Sequence, residues 1–339
     1  MEYNETKYKD LVDFQSYKIS HYNFDYQKPF MLVDGSYYIF YRYFAMRMWY
    51  SMAHKEKYAE NNKIEKYDWM ADTVFMEKFN KTFFENLLKL VKKNKIPLSN
   101  LIISLDCPSW EIWRQSITTN YKSTRKESHI KAKFFCYKIF AHSDSKLILP
   151  FVNENKCHLV RYKNAEADDV NGILLRHITS VNPDASAYII ATDHDYIQLC
   201  DSKVCLLDAK GKNLSEKILN DDMCQIKFLI IKILIGDVSD NIIACNISTK
   251  FLIDNKLLGK SNKEFIKCSK SNVKKIIENV ETYKTIVDLY NSNLINRNNN
   301  HIGNKWFENE QFLKNQQLID FRFIPSSIKN SILEIFKLT

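Results

Sequence analysis

The sequence predicts an α/β fold: a mostly parallel central sheet flanked by helices, followed by a helical C-terminal domain. Three observations predict it. Apolar, strand-like runs recur at Pro29–Asp34, Leu101–Asp106 and Tyr188–Asp193, and each ends in an aspartate. Between them lie stretches with apolar residues at helical spacing, the alternation that builds a parallel sheet. From about Ser215 onward the strand signal fades and helices dominate.

In chain order, residues 1–28 are polar and Tyr-rich without a clear period and read as an N-terminal extension. After the first strand, Ser36 to Ser51 is dense in aromatics, as a buried helix is. Residues 51–68 are highly charged and read as a loop or an exposed helical insertion. Val74, Phe75, Phe79, Phe83, Leu87, Leu88 and Val91 recur at helical spacing up to Lys93, and Pro97 stops that helix. The second strand ends at Asp106. Residues 107–133 turn basic, aromatic and hydroxyl-rich, and Lys146 to Val152 reads as a third short strand. Glu166 to Ile178 is a helix opening with acids, which suits the positive end of its dipole. Tyr188–Asp193 and Lys203–Asp208 complete the strands. These readings divide the chain into 1–28, 29–222 and 223–339.

The 339 residues are 45% hydrophobic and 13% aromatic, enough to bury a substantial core. A net charge of +9 leans toward a polyanionic partner. Eight cysteines are scattered without a C-x-x-C pair, which argues against a zinc site or disulfide framework and for reduced thiols inside a cell. Met1 to Tyr22 is polar and charged, unlike a signal peptide. Phe228 to Gly236, the most apolar stretch, is too short for a bilayer and contains Lys232. No Gly-rich phosphate loop and no G-x-S-x-G occurs, so ATPase and serine-hydrolase chemistry have no support.

Acids carry the chemical signal. Asp34, Asp106, Glu166, Asp168, Asp193, Asp195 and Asp240, with Asp169 and Asp237 close by, come from five segments, each at a strand end or helix start. Any one of them alone is a turn or an N-cap. Together, at the C-terminal edge of a parallel sheet where sites assemble, they would repel one another without a cation between them. Hard divalent ions such as Mg²⁺ take oxygen ligands. Two of them about 3.5–4 Å apart would hold the attacking water and the leaving oxygen of a phosphodiester.

Two basic segments accompany the acids. Between Cys107 and Lys133 stand six Lys/Arg against two acids, including Arg114, Lys122, Arg125 and Lys126, interleaved with Trp110, Trp113 and Tyr121. Such a run is either a solvated face or a phosphate-steering element in which an aromatic stacks a base. From Lys250 to Lys275 there are eight lysines against two acids, Lys250, Lys256 and Lys260 among them. That run is either an exposed face or a contact to duplex backbone. The aromatic stripe Tyr37 to Tyr50 reads as core, and His194 points away from its acidic neighbours.

The order of motifs resembles the flap endonuclease / 5′-3′ exonuclease (5′-nuclease) family over roughly residues 30–335. The motifs are Val33–Gly35, Ser104–Asp106, Arg114 with Tyr121, Lys122 and Arg125, Glu166–Asp169, Thr192–Leu199, Gly236–Ile242 and Leu318–Pro325. The likeness is greatest to the T-even phage branch, which implies a viral chain. The resemblance implies a PIN-like nuclease core, a helical arch at about 107–140 and a helix–three-turn–helix element in the C-terminal domain. It implies a first metal near Asp34, Asp106, Glu166 and Asp168 and a second near Asp193, Asp195 and Asp240, with Asp169 and Asp237 supporting. Lys122 and Arg125 match the basic pair of the arch. The implied activity is Mg²⁺-dependent 5′-3′ exonuclease and flap endonuclease cleavage in DNA replication or repair, with Mn²⁺ as a substitute ion. The implied partners are DNA with 5′ flaps, nicks or RNA primers, RNA–DNA hybrid, and replication proteins, within the cell and away from membranes.

One departure stands out. The family often follows G-D-x-x-D-N-I with a glycine-rich hairpin that grips duplex phosphates and potassium. Here Ile243–Lys250 has no glycine, so its backbone amides approach a phosphate less closely. The alternatives are a PIN-like ribonuclease, which the basic arch segment disfavours, and an inactive nuclease-fold DNA-binding scaffold, which the complete acid set disfavours. An aspartyl phosphatase would need a second acid where Ser36 stands.

Overall fold

The computed structural model of the chain describes residues 17–19, 24–63, 69, 71–123, 148–220, 223–254, 256–279, 283–284, 287–288, 290 and 309–336. Two compact units divide the chain. The first comprises Met1–Trp113, Lys126–Lys217 and Pro325–Thr339, and the second Arg114–Arg125 and Ile218–Ile324.

The first unit is built on a six-stranded sheet. Its strands are β1 (Tyr17–Ile19), β2 (Phe30–Asp34), β3 (Leu101–Leu105), β4 (His158–Arg161), β5 (Ala187–Ile190) and β6 (Val204–Leu207), in the order β1-β4-β3-β2-β5-β6. Five are parallel, and β1 pairs antiparallel with β4 at one edge. The edge strand lies within the segment that reads as a featureless extension, because three residues are too few to display a period. The parallel strands are buried on both faces, which explains their continuous apolar character.

The third parallel strand is not where the sequence predicts it. Residues within Lys146–Val152 belong to helix Ile148–Asn155, and the strand is His158–Arg161. A short apolar run has no decisive period, and Ile148, Phe151 and Val152 bury at helical spacing, with Phe151 stacked on Phe84 at 3.7 Å. The true strand is disguised by polar ends. His158 is fully buried, its Nε2 2.7 Å from the Ser99 carbonyl, and Arg161 is also buried.

Helices α1 (Gly35–Ala53), α2 (Lys55–Lys63) and α3 (Thr73–Lys93) come after β2, and α4 (Ile148–Asn155) and α5 (Ala167–Val181) flank β4. The charged stretch 51–68 thus contains α2. Asp34 and Asp72 cap α1 and α3 through the amides of Tyr37 and Phe75. The apolar face of α3 (Phe75, Phe79, Phe83, Leu87) is buried, and Tyr38 of α1 donates to the Phe83 carbonyl at 2.9 Å. Gly35 is where α1 presses on β3. A Cβ there would lie 2.7 Å from Leu105 Cδ2 and 2.8 Å from the Ser104 carbonyl. The C-terminal helix Ser326–Ile335, beyond the sequence boundary at 223, packs on α5, and Phe336 stacks on Phe24.

The second unit contains α6 (Gln225–Ile235), a turn at Val238–Asp240, the antiparallel ribbon β7 (Asn246–Ser248) and β8 (Phe265–Lys267), α7 (Thr249–Asp254), α8 (Lys270–Glu278) and α9 (Asn309–Ile319). The ribbon is too short to interrupt the helical reading of this region. Gly236 ends α6 at φ 73°, where a Cβ would collide with the Ile242 carbonyl. The buried Asn315 of α9 donates to the carbonyls of Ile233 and Ile243, tying α6 to the turn. Among the described residues, no helix is long and apolar enough to cross a membrane.

Candidate metal centre and basic segment

Because β2, β3, β4 and β5 run parallel, the residues after each of them emerge at one edge of the sheet. Asp34 ends β2, Asp106 comes directly after β3, Glu166 opens the helix after β4, and Asp193 lies just past β5. The chain lays β3 and β4 on one side of β2 and β5 and β6 on the other. The strand order therefore reverses between β2 and β5, where open α/β sheets form their crevice.

Five of the acids are locally fixed. Asp34 Oδ1 accepts the Tyr37 amide at 2.9 Å and Oδ2 the Tyr196 hydroxyl at 3.4 Å. Asp106 Oδ1 accepts the Ala167 amide at 2.8 Å, so the acid after β3 caps α5. Asp169 Oδ2 accepts both the Glu166 amide at 3.0 Å and the Trp113 indole at 2.9 Å, which makes it a brace for that helix start. Asp168 accepts the Asp169 amide at 2.7 Å, and the exposed Asp193 accepts the Asp195 amide at 2.9 Å. Asp195 is half-buried.

Glu166, Asp168 and Asp169 each offer an oxygen within 4.8 Å of the others. Glu166 and Asp169 are 5% and 0% exposed, so the group is largely dry. The helix dipole favours negative charge there but by only about 0.3–1 kcal/mol, too little to offset several crowded carboxylates. The fully buried Tyr196 registers a wider set: burial first, then the charges of Asp34, Asp168 and Asp193, push its phenol well above the ordinary range. Acids from β2, α5 and the end of β5 thus act on one hydroxyl. Burial and then the charges of Asp106, Glu166 and Asp169 likewise keep the Cys107 thiol protonated. An oxygen-only donor set in such a field fits a hard divalent cation.

Sequence reading gave no role to Asn171, to Ser104 or to Tyr196, and it placed Trp113 among the aromatics of the basic segment, whereas its indole binds Asp169. Asn171 left a signal, a polar residue on the buried face of α5 beside Val170 and Leu174.

Asp237 and Asp240 belong to the second unit. Asp240 is 5% exposed, and its Oδ2 accepts the Tyr121 hydroxyl at 3.2 Å and faces Lys122 Nζ at 3.6 Å. Lys122 takes a left-handed φ of 57°, and its Nζ lies 5.0 Å from the Tyr121 ring centroid. Asp237 binds Ser239 and pairs with Lys232 at 3.2 Å. Burial raises its carboxyl pKa, but Ser239 and Lys232 outweigh burial and leave it below the usual range. Arg114 is 2% exposed and donates from Nε to the Leu318 carbonyl at 2.8 Å, with its guanidinium 5.9 Å from the Tyr121 ring. It braces the basic segment. Lys250, Lys256 and Lys260 are exposed. Arg125 and Lys126 lie outside the described residues.

Residues 29–228 match the family of the 5′-3′ exonuclease, N-terminal resolvase-like domain. None of the curated proteins matches the sequence. Among solved structures, the T5 D15 protein co-crystallised with metal ions is similar to this chain, with 14% identity and a TM-score of 0.50 over 91% of this chain and 100% of that one. The bacteriophage T5 D15 flap endonuclease, in a pseudo-enzyme–product complex with DNA and metal ions, is 13% identical with a TM-score of 0.49, again over 91% and 100%. At 14% identity, the likeness to the T5 D15 protein is one of fold.

Proposed function

We propose that this chain, which belongs to the 5′-3′ exonuclease family, is a divalent-metal-dependent, structure-selective 5′-nuclease that hydrolyses phosphodiesters in DNA bearing 5′ flaps, nicks or RNA primers. One observation carries the reading: Asp34, Asp106, Glu166, Asp168 and Asp193 emerge at a single sheet edge, where Glu166, Asp168 and Asp169 each offer an oxygen within 4.8 Å of the others.

In this reading Asp34, Asp106, Glu166 and Asp168 hold one cation, and Asp193 and Asp195 contribute to a second, as Mg²⁺ or Mn²⁺. When bound, such ions supply Lewis acidity to the phosphoryl oxygens. The chain's own residues do the positioning. The amides of Tyr37 and Ala167 orient the carboxylates of Asp34 and Asp106, and Asp169, anchored by Trp113, holds the start of α5 in place. Lys122 and Arg125 supply positive charge to substrate phosphates, and Tyr121 belongs to the same contact segment. The exposed Lys250, Lys256 and Lys260, together with Lys126, bind duplex backbone without reading sequence. Service in replication or repair, including removal of RNA primers, accords with that substrate set.

The test is Asp34→Ala and Asp193→Ala on a labelled panel of 5′-flap, nicked duplex, RNA-primed DNA and single strand, with and without Mg²⁺. Each variant should lose metal-dependent flap cleavage by orders of magnitude. Near wild-type cleavage by either variant overturns the assignment. Preferential cutting of single-stranded RNA would favour a ribonuclease instead.

A further inference from the structure

We infer that Tyr196 is a positioning residue for the metal centre, the last donor of a buried hydrogen-bond chain that orients Asp34; this rests on the metal-dependent reading above. The chain has four members on four elements: Ser104 on β3, Asn171 on α5, Tyr196 in the short helix His194–Leu199 and Asp34 at the end of β2. Ser104 Oγ, inside β3, lies 2.7 Å from Asn171 Oδ1 on α5. Asn171 Nδ2 donates to the Tyr196 hydroxyl oxygen at 3.0 Å, and the Tyr196 hydroxyl reaches Asp34 Oδ2 at 3.4 Å. Ser104, Asn171 and Tyr196 are all fully buried.

The donor and acceptor inventory gives this chain a direction. An amide oxygen only accepts and an amide nitrogen only donates. Ser104 must therefore donate to Asn171, and Asn171 to the phenol oxygen. With its lone pair engaged, the Tyr196 proton is left to point at the carboxylate. The opposite oxygen of Asp34 is held by the Tyr37 amide, so the carboxylate plane is fixed from both sides. Both donors are neutral. A lysine or arginine in either place would compete with a cation for the Asp34 charge, whereas an amide and a hydroxyl orient the group and leave its charge available. One end of the chain is anchored on Asp34, at the end of β2. Its other end is anchored in β3, two residues before Asp106.

Partners behind metal ligands fix ligand orientation, and their loss weakens metal binding by about 10–100-fold. The test is calorimetric titration of the intact, substrate-free protein with Mn²⁺, comparing wild type, Tyr196→Phe and Ser104→Ala, with thermal melts as a control for folding. Tyr196→Phe should bind Mn²⁺ about tenfold more weakly, and Ser104→Ala by a smaller factor. Flap cleavage by Tyr196→Phe should then require more Mn²⁺, with the deficit shrinking at saturating metal, unlike that of Asp34→Ala. A folded Tyr196→Phe with wild-type Mn²⁺ affinity overturns the inference while leaving the metal-dependent reading intact. Should Tyr196→Phe fail to fold, unchanged affinity in Ser104→Ala overturns it equally. A wild-type protein that binds no Mn²⁺ overturns both.

Discussion

Lys122 and Asp240 are joined twice: the Lys122 amide donates to the Asp240 carbonyl at 3.0 Å, and its Nζ lies 3.6 Å from Asp240 Oδ2. Two residues far apart in the chain, one from the basic segment and one from the Gly236–Ile242 turn, thus form a single local structure in the second unit. Their side chains are 13% and 7% exposed, so solvent screens the pair little. A double-mutant cycle of Lys122→Met and Asp240→Asn, read by chemical denaturation, should give a coupling of about 1–3 kcal/mol. Strict additivity would mean that the contact contributes nothing.

Arg114 discriminates between bracing and phosphate contact. Its Nε bond to the Leu318 carbonyl is buried, and hydrogen bonds from charged donors contribute about 1.5–3 kcal/mol. Arg114→Ala should lower stability by about that much and leave the salt dependence of duplex binding unchanged. A direct phosphate contact predicts the reverse, a salt slope reduced by about one with stability intact.

Gly35 sets the approach of α1 to β3. Its missing Cβ would meet the Ser104 carbonyl at 2.8 Å, a backbone atom that cannot swing aside. Gly35→Ala should cost about 1–3 kcal/mol of stability and weaken Mn²⁺ binding, since Asp34 and Ser104 pair across β2 and β3. Full retention of both in denaturation and metal titration would contradict this packing account.

Alkaline pH should unfold the first unit through its phenols. Burial above all, with the charges of Asp208 and Asp34 adding to it, pushes the Tyr37 phenol up to about 12 despite the hydrogen bond from the Ala209 amide. A phenol whose folded pKa is raised holds its proton more tightly in the native state. Its stabilisation is complete below the ordinary value of about 10 and is lost as pH rises toward 12. Melting temperature should therefore fall across that window, and less steeply in Tyr37→Phe. A flat profile, or an identical slope in the variant, would contradict the assignment.

Legibility in the sequence depended on which interactions are local. Strands β2, β3 and β5 were legible because each is an apolar run closed by an aspartate, and the parallel arrangement could be read from the helices between them. His158–Arg161 was not legible, since its polar ends are satisfied or buried only by tertiary packing. Arg114 reads as part of a solvated or phosphate-steering face, as a guanidinium in a basic segment does, and only the distant Leu318 carbonyl makes it internal. The acids of the centre were legible as a list. The Ser104–Asn171–Tyr196 chain was not, because it exists only once β3, α5 and the short helix His194–Leu199 are brought together.

Anomalous diffraction from crystals soaked in Mn²⁺ tests most directly whether the strand-end carboxylates form a metal centre. Strong peaks are expected within coordination distance of Asp34, Asp106, Glu166 and Asp168, and they should disappear in Asp34→Ala. Peaks confined to other acids, or none at this edge of the sheet in a crystal that binds Mn²⁺ elsewhere, would contradict the metal-centre assignment.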